Sequence, residues 1–337
     1  MKNLIDFHCD TIWNLGDLGG KGNLYHNDGQ VSIEHMLKGG TKAQCMAFFT
    51  DGGESMNAPK GTDPRSLKPG QKEYDACYAH VLSKMDYLDG QIRQFGKYVA
   101  QATSYEELEK NAAEDKISLI YTVEESGILS NDLSRLDTLY ARGVRLMTPM
   151  WNYENCLGYP NHKDPLENEK GLKAFGIEAI QKMDELGIIL DVAHASDGCF
   201  WDILKYSEGP VLASHSNCRA LCHHSRNLTD EMIRALAERG GVSGLNLFGW
   251  FLNNNGPREG KIKDMVRHIH HMINKGGIEF PAIGTDFDGI GAQTNPAIAN
   301  VGDMPKLWGA LVNSGLSEDD VEKIWHKNAE RVIQGIS

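Results

Sequence analysis

The chain has 337 residues, 41% of them hydrophobic, and a formal net charge of −12, with a calculated pI near 5.5. That acidity leaves no basic surplus to neutralise phosphates, so it argues against nucleic acid or an acidic membrane as partner and favours small-molecule chemistry. The composition is neither disordered nor fibrous and is sufficient for one large domain over 1–337.

Taken in chain order, "LIDFHCD" (4–10) predicts a first strand and "QCMAFFTD" (44–51) a second, and helical periodicity follows over 71–95 and 104–115. "ISLIYTVEE" (117–125) is the third strand, a helix covers 131–141, "VRLMTPMW" (144–151) is the fourth strand, and a helix covers 170–186. "GIILDVAH" (187–194) and "PVLASHS" (210–216) are the fifth and sixth strands, followed by a helix over 230–239. "GVSGLNLF" (241–248), a helix over 263–274, "PAIGTDFDG" (281–289) and helices over 303–313 and 317–333 complete the chain. The helix near 230 opens with Thr229 and acids, and the last with Ser317 and acids, as helix N-termini favour. Eight strands alternating with helices predict a closed parallel barrel, a (β/α)8 TIM barrel. Glycine-marked turns such as Arg142-Gly143-Val144 lead into the strands, while the segments leaving them, 52–70, 152–169 and 249–262, are long. In this fold the long strand-to-helix loops surround the active site.

Seven cysteines (Cys9, Cys45, Cys77, Cys156, Cys199, Cys218 and Cys222) form no CxxC pair, which fits neither a disulfide scaffold nor a zinc ribbon. The apolar stretch before Asp6 is too short for a signal-peptide core, and no run approaches a membrane span. The expectation is a soluble, cytoplasmic protein without a membrane partner.

His8 and Asp10 stand two apart, so in a strand both side chains would share a face. They lie at the end of the first predicted strand, with Glu124 at the end of the third, His194 of the fifth, His215 near the end of the sixth and Asp286 near the end of the eighth. Imidazole and carboxylate are the usual donors to zinc and similar ions, and strand ends of a barrel place them around one mouth. Three histidines and three carboxylates exceed what one tetrahedral ion with an open position needs, which points to two ions sharing a carboxylate. His268, His270 and His271 are expected on a solvated helix face, and His223 and His224 in a loop that either lines the site or passes it by. Trp250 and Phe251 either cap a pocket or pack their own loop.

At these residues the chain resembles the membrane dipeptidase (renal dipeptidase) family of zinc peptidases, in the amidohydrolase superfamily, almost from end to end. The resemblance lies in "IDFHCDT", "TVEES", "LDVAHAS", "PVLASHSNCRALCHHSRNL" and "AIGTDFDGI", in that order. It implies two Zn2+ ions, one held by His8 and Asp10 and the other by His194 and His215, with Glu124 as the bridge. It makes Asp286 the proton-handling acid and Arg226 the holder of the substrate's terminal carboxylate. It assigns Trp151, Asn152 and Phe248 to the substrate pocket, and implies a small dipeptide substrate, a C-terminal D-residue included, and a homodimer.

Three departures from the family's pattern stand out. Trp151 stands where many animal members carry a histidine, Glu125 and Ser126 replace glycines after the bridging glutamate, and Phe248 replaces a tyrosine of some members. Glu125, as an extra carboxylate beside the metals, is expected to alter the charge preferred in the substrate. Two other readings remain: a lactonase, deaminase or cyclic amidase on the same barrel, or a barrel that binds metal or peptide without turnover. The superfamily's other hydrolases often bridge their metals with a carboxylated lysine from the fourth strand, and "VRLMTPMW" offers none.

Overall fold

The computed structural model describes residues 3–15, 22–51, 62, 66–254, 261–290 and 298–335. Most of the expected loop 52–70, and residues 255–260 of the loop 249–262, lie outside the described residues.

The described strands are β1 (Leu4–Asp6), β2 (Thr41–Phe49), β3 (Val99–Gln101), β4 (Ile117–Glu124), β5 (Val144–Thr148), β6 (Ile189–Asp191), β7 (Val211–Leu212), β8 (Ser243–Leu245) and β9 (Pro281–Ile283). Eight of them run parallel in the order β7-β6-β5-β4-β2-β1-β9-β8. A parallel bridge between Ala213 and Ser243 joins the two ends of that order. Bonds from Ala213 N to Val242 O (2.9 Å) and from Gly244 N to Ala213 O (2.8 Å) complete the closure. The predicted barrel is therefore present, and β4, buried along its whole length, has the continuous apolar run of a strand covered on both faces.

The ninth strand, β3, was not anticipated. It pairs with the start of β4, Val99 opposite Ile117, where β5 has not yet begun its own pairing. Two longer helices between strands were also missed, Ile33–Gly39 and Asp197–Tyr206, capped by the side chains of Ser32 and Ser196, as were the single turns Thr11–Asn14, Pro165–Asn168 and Gly249–Leu252. Among the described residues no helix is long and apolar enough to cross a membrane.

Register decides what faces inward. Ile5 pairs with Ala43, Cys45 with Ile120, Leu146 with Ile189, and all six belong to one buried cluster. Ile120 lies four residues before Glu124 on the same face of β4, so this cluster fills the barrel beneath the site. The neck is tight at Gly244 and Gly284, where an added Cβ would stand 1.9 Å and 1.7 Å from the carbonyl oxygen of Ser214.

Candidate metal centre and active-site cleft

The strands end earlier than the apolar runs suggest, and the reason lies in the site. β4 stops at Glu124, and the next residue, Glu125, has φ 98°; His194 and Asp286 have φ 70° and 60°. Left-handed backbone at non-glycine residues costs roughly 1–3 kcal/mol each and concentrates at functional sites. Here it turns each side chain off its strand axis at the barrel mouth.

The six strand-end residues are brought together. His8 Nε2 lies 3.3 Å from Asp10 Oδ2 and 3.7 Å from Glu124 Oε2. The other glutamate oxygen, Oε1, lies 3.1 Å from His194 Nε2 and 3.5 Å from His215 Nε2. Two sets of donors follow, each with its atoms mutually within 4.8 Å: His8 with Glu124 and His215, and His8 with Asp10 and Asp286. Asp286 Oδ2 accepts a bond of 2.8 Å from Asn246 Nδ2, and Asn246 is a site residue that sequence reasoning missed. Gly289 keeps this corner open, since a Cβ there would stand 2.1 Å from Asp10 Oδ2 and 2.6 Å from Asp286 Oδ1.

These donors fit a metal. His194 Nδ1 faces Asn152 Oδ1 at 3.1 Å, so the ring donates there and leaves the Nε2 lone pair toward Glu124. His215 Nε2 points to the same place, 3.1 Å from His194 Nε2. Two imidazole lone pairs and a carboxylate oxygen converging on one point call for a cation. Asp10 Oδ1 is buried without a hydrogen-bond partner among the described residues, as a ligand oxygen would be.

The electrostatics of the metal-free cluster agree. Burial disfavours charge on His8, yet the carboxylates of Glu124 and Asp10 outweigh it and raise its pKa to about 10. A proton there compensates the acids as a cation would. Burial, with His8 and Arg226 nearby, pushes the pKa of His215 well down. Burial also raises the pKa of Asp286, to about 6, although His8 opposes it.

Asp10, Glu124, His194 and Asp286 open onto a cleft of about 560 Å³ that Trp151, Asn152, Arg226 and Phe248 also line, while His8 and His215 are buried and form no part of its wall. Arg226 is buried and is the one Lys or Arg among the described lining residues. Its Nη2 reaches His215 O at 3.3 Å, and its guanidinium carbon lies 5.4 Å from the Phe251 ring centre. Trp13, Phe49, Trp250 and Phe251 line the cleft as well, so Trp250 and Phe251 cap the pocket rather than only packing their loop. His224 lines no part of the cleft but accepts the Arg226 N–H at 3.1 Å, while His223 is exposed.

Two expectations need correction. Glu125 does not join the metal donors or line the cleft. It is fully buried, accepting bonds from Gly127 N (2.6 Å), Trp151 N (2.8 Å) and Asn155 Nδ2 (2.6 Å). Its positive φ swings it behind the site, where it anchors the loop that presents Trp151, so the expected effect on substrate charge has no basis.

His268 is not on a solvated face. Met265, His268, Ile269 and Met272 form the buried stripe of the helix Ile262–Gly276, a periodicity that could have identified it. Its Nδ1 accepts from Cys218 N and its Nε2 faces Leu252 O, both at 3.1 Å. Burial lowers its pKa to about 4, so below the ordinary value near 6.5 the unfolded chain takes up a proton that the folded protein refuses. Stability is then expected to fall by up to about 3 kcal/mol as the pH drops from 6.5 toward 4. His268→Gln, which can keep both bonds, should flatten that part of the melting-temperature profile; an unchanged acid sensitivity would refute the assignment.

The whole chain, residues 1–337, matches the family described as membrane dipeptidase (peptidase family M19). A relative described as "Uncharacterized protein in pqqA 5'region", from Klebsiella pneumoniae, is 34% identical over 66% of this chain and 84% of its own. Dipeptidase tcpJ of Claviceps purpurea is 24% identical over 91% of this chain and 69% of its own. Among solved structures, a metallo peptidase from Rhodobacter sphaeroides, liganded with a phosphinate mimic of the dipeptide L-Ala-D-Ala, superposes with a TM-score of 0.87 at 24% identity, covering 100% of this chain and 99% of that one. The probable dipeptidase PvdM from Pseudomonas aeruginosa gives 0.86 at 22% identity over 99% and 95% of the two chains. With its barrel, its buried cluster of imidazoles and carboxylates and its full-length match, the chain belongs to the membrane dipeptidase family of metallopeptidases.

Proposed function

We propose that this chain hydrolyses dipeptides, including those with a C-terminal D-residue, with two Zn2+ ions at the barrel mouth. The observation that carries the two-ion reading is the division of Glu124, whose Oε2 faces His8 while Oε1 faces His194 and His215. His8 and Asp10 would hold one ion, His194 and His215 the other, and Glu124 would bridge them. Imidazole and carboxylate donors suit zinc. When bound, such a pair supplies Lewis acidity toward a scissile carbonyl and acidifies water near neutral pH.

The remaining steps belong to the chain. Asp286 takes the proton of the attacking water and returns it to the leaving amine, a task suited to a carboxyl that lines the cleft within the donor cluster and is held in place by Asn246. Arg226, set in the cleft wall, pairs its guanidinium with the substrate's free carboxylate. Trp151 and Phe248 offer apolar walls to the substrate, and Asn152 holds the His194 ring from behind. The dipeptide mimic bound to the Rhodobacter sphaeroides protein supports the substrate class and its D-residue.

The test is release of amino acids, detected with ninhydrin, from a dipeptide panel that includes L-Ala-D-Ala and acidic and basic variants. Zinc-loaded protein should cleave members of the panel and chelator-treated protein none. If protein confirmed to hold two metals cleaved no member, the activity would lie with another amide or ester bond.

A further inference from the structure

The barrel interior changes character one layer below the metal donors. Leu146, Ile189 and Leu212, on β5, β6 and β7, belong to the apolar cluster, whereas the residues two positions further on, Thr148, Asp191 and Ser214, are polar and buried. Asp191 accepts four bonds. Its Oδ1 takes the backbone N–H groups of Ala193 (2.9 Å) and Ser214 (2.8 Å). Its Oδ2 takes the hydroxyls of Thr148 (2.7 Å) and Ser214 (2.6 Å).

Ser214 has one hydroxyl hydrogen, and it goes to Asp191. Its 2.7 Å contact with His215 Nδ1 must therefore have the imidazole as donor. His215 is thereby fixed as the Nδ1–H tautomer, with its Nε2 lone pair toward Glu124 Oε1. Ala193, whose N–H the same aspartate holds, immediately precedes His194.

We propose that Asp191 is a positioning residue that selects the tautomer of His215 through Ser214, and so sets the affinity of the His194 and His215 half of the site for its ion. The statement about affinity rests on the two-ion reading above; the statement about the tautomer does not. Asparagine at 191 exposes the logic. Its Nδ2 cannot occupy the Oδ1 place, where two backbone N–H groups point and neither can turn. It must take the Oδ2 place and donate to the hydroxyls, which can turn. Ser214 then aims its hydrogen at His215 Nδ1, and the ring proton moves to Nε2, where the lone pair for the ion had been. A near-isosteric change thus does more damage than removing the hydroxyl, because Ser214→Ala only leaves both tautomers accessible.

The experiment titrates Zn2+ into metal-free wild-type, Asp191→Asn and Ser214→Ala protein by calorimetry. It also reads the histidine ring tautomers from nitrogen-15 chemical shifts of the metal-free forms. Wild type should bind two equivalents with His215 as Nδ1–H. Asp191→Asn should show Nε2–H and weaken one equivalent about 100-fold, and Ser214→Ala should show mixed tautomers and weaken it about 10-fold. The other equivalent should bind as in wild type. An Asp191→Asn protein with a wild-type melting profile, tautomer and affinity would overturn the proposal. If that variant does not fold, Ser214→Ala decides: an unchanged tautomer and affinity would be equally fatal. Wild type binding fewer than two equivalents would defeat the two-ion reading instead, and the tautomer shifts would still decide the role of Asp191.

Discussion

Asp286→Asn is expected to lower kcat by roughly 10²- to 10⁴-fold, the range that a positioned proton-transfer group supplies, while the protein keeps its metals and KM changes little. Asp286 sits at φ 60°, its backbone N–H bonded to His8 O at 3.2 Å and its Oδ2 to Asn246 Nδ2 at 2.8 Å. Asparagine can keep both bonds by presenting its carbonyl oxygen to Asn246, so the fold and the cleft should survive. What it cannot do is carry a proton between water and a leaving amine. A loss confined to kcat is the signature of an interaction made only in the transition state. The variant also tests a competing role, because Asp286 shares a donor set with His8 and Asp10. If metal analysis showed one equivalent gone, Asp286 would be a ligand first and a proton carrier second. An unchanged rate would remove it from the chemistry altogether.

The convergence of His8, Asp10, Glu124, His194, His215 and Asp286 was legible because alternating strands and helices place every strand end at one mouth. What surrounds them was much less so. Glu125 follows Glu124 directly and, as a carboxylate, looks like another donor; its φ of 98° sends it into the loop behind, a matter of one torsion angle that composition does not reveal. Asn152 holds the His194 ring across 42 residues of chain, and Asn246 reaches Asp286 across 40; contacts of that range depend on which strands become neighbours and at what register. The ends of β6 and β7 fall short of their apolar runs because Asp191 takes over the hydrogen bonding with side-chain oxygens. β3, Val99–Gln101, was hidden because its apolar run is only Tyr98-Val99-Ala100, between Lys97 and Gln101, whereas the other short strands lie within longer apolar stretches. His268 belongs to a different category, since the buried stripe around it is a helical period that could be read directly.

Glu124→Gln should do more harm than any other single change in the cluster. The glutamate serves two sets of donors with two equivalent oxygens, 3.7 Å from His8 Nε2 on one side and 3.1 Å and 3.5 Å from His194 and His215 Nε2 on the other. Glutamine keeps the shape but offers one oxygen, so its amide N–H groups must face one side. Turned toward His194 and His215, they donate to the lone pairs an ion would use. Turned toward His8, they meet the ring that shares a donor set with Asp10 and Asp286. In either orientation the cluster also loses one of the negative charges that would offset the two proposed cations, in a buried place where charge is poorly screened. Metal affinity is therefore expected to fall by more than about 100-fold, beyond what loss of an outer hydrogen-bond partner costs, and hydrolysis should fall with it. Glu124→Asp separates charge from reach: it restores both oxygens on a stem one methylene shorter, so it should recover one equivalent of metal but little activity. Calorimetric titration of zinc into the three proteins, with melting curves to establish folding, decides the matter. A Glu124→Gln protein that still bound two equivalents with wild-type affinity would show that the two ions do not share this carboxylate.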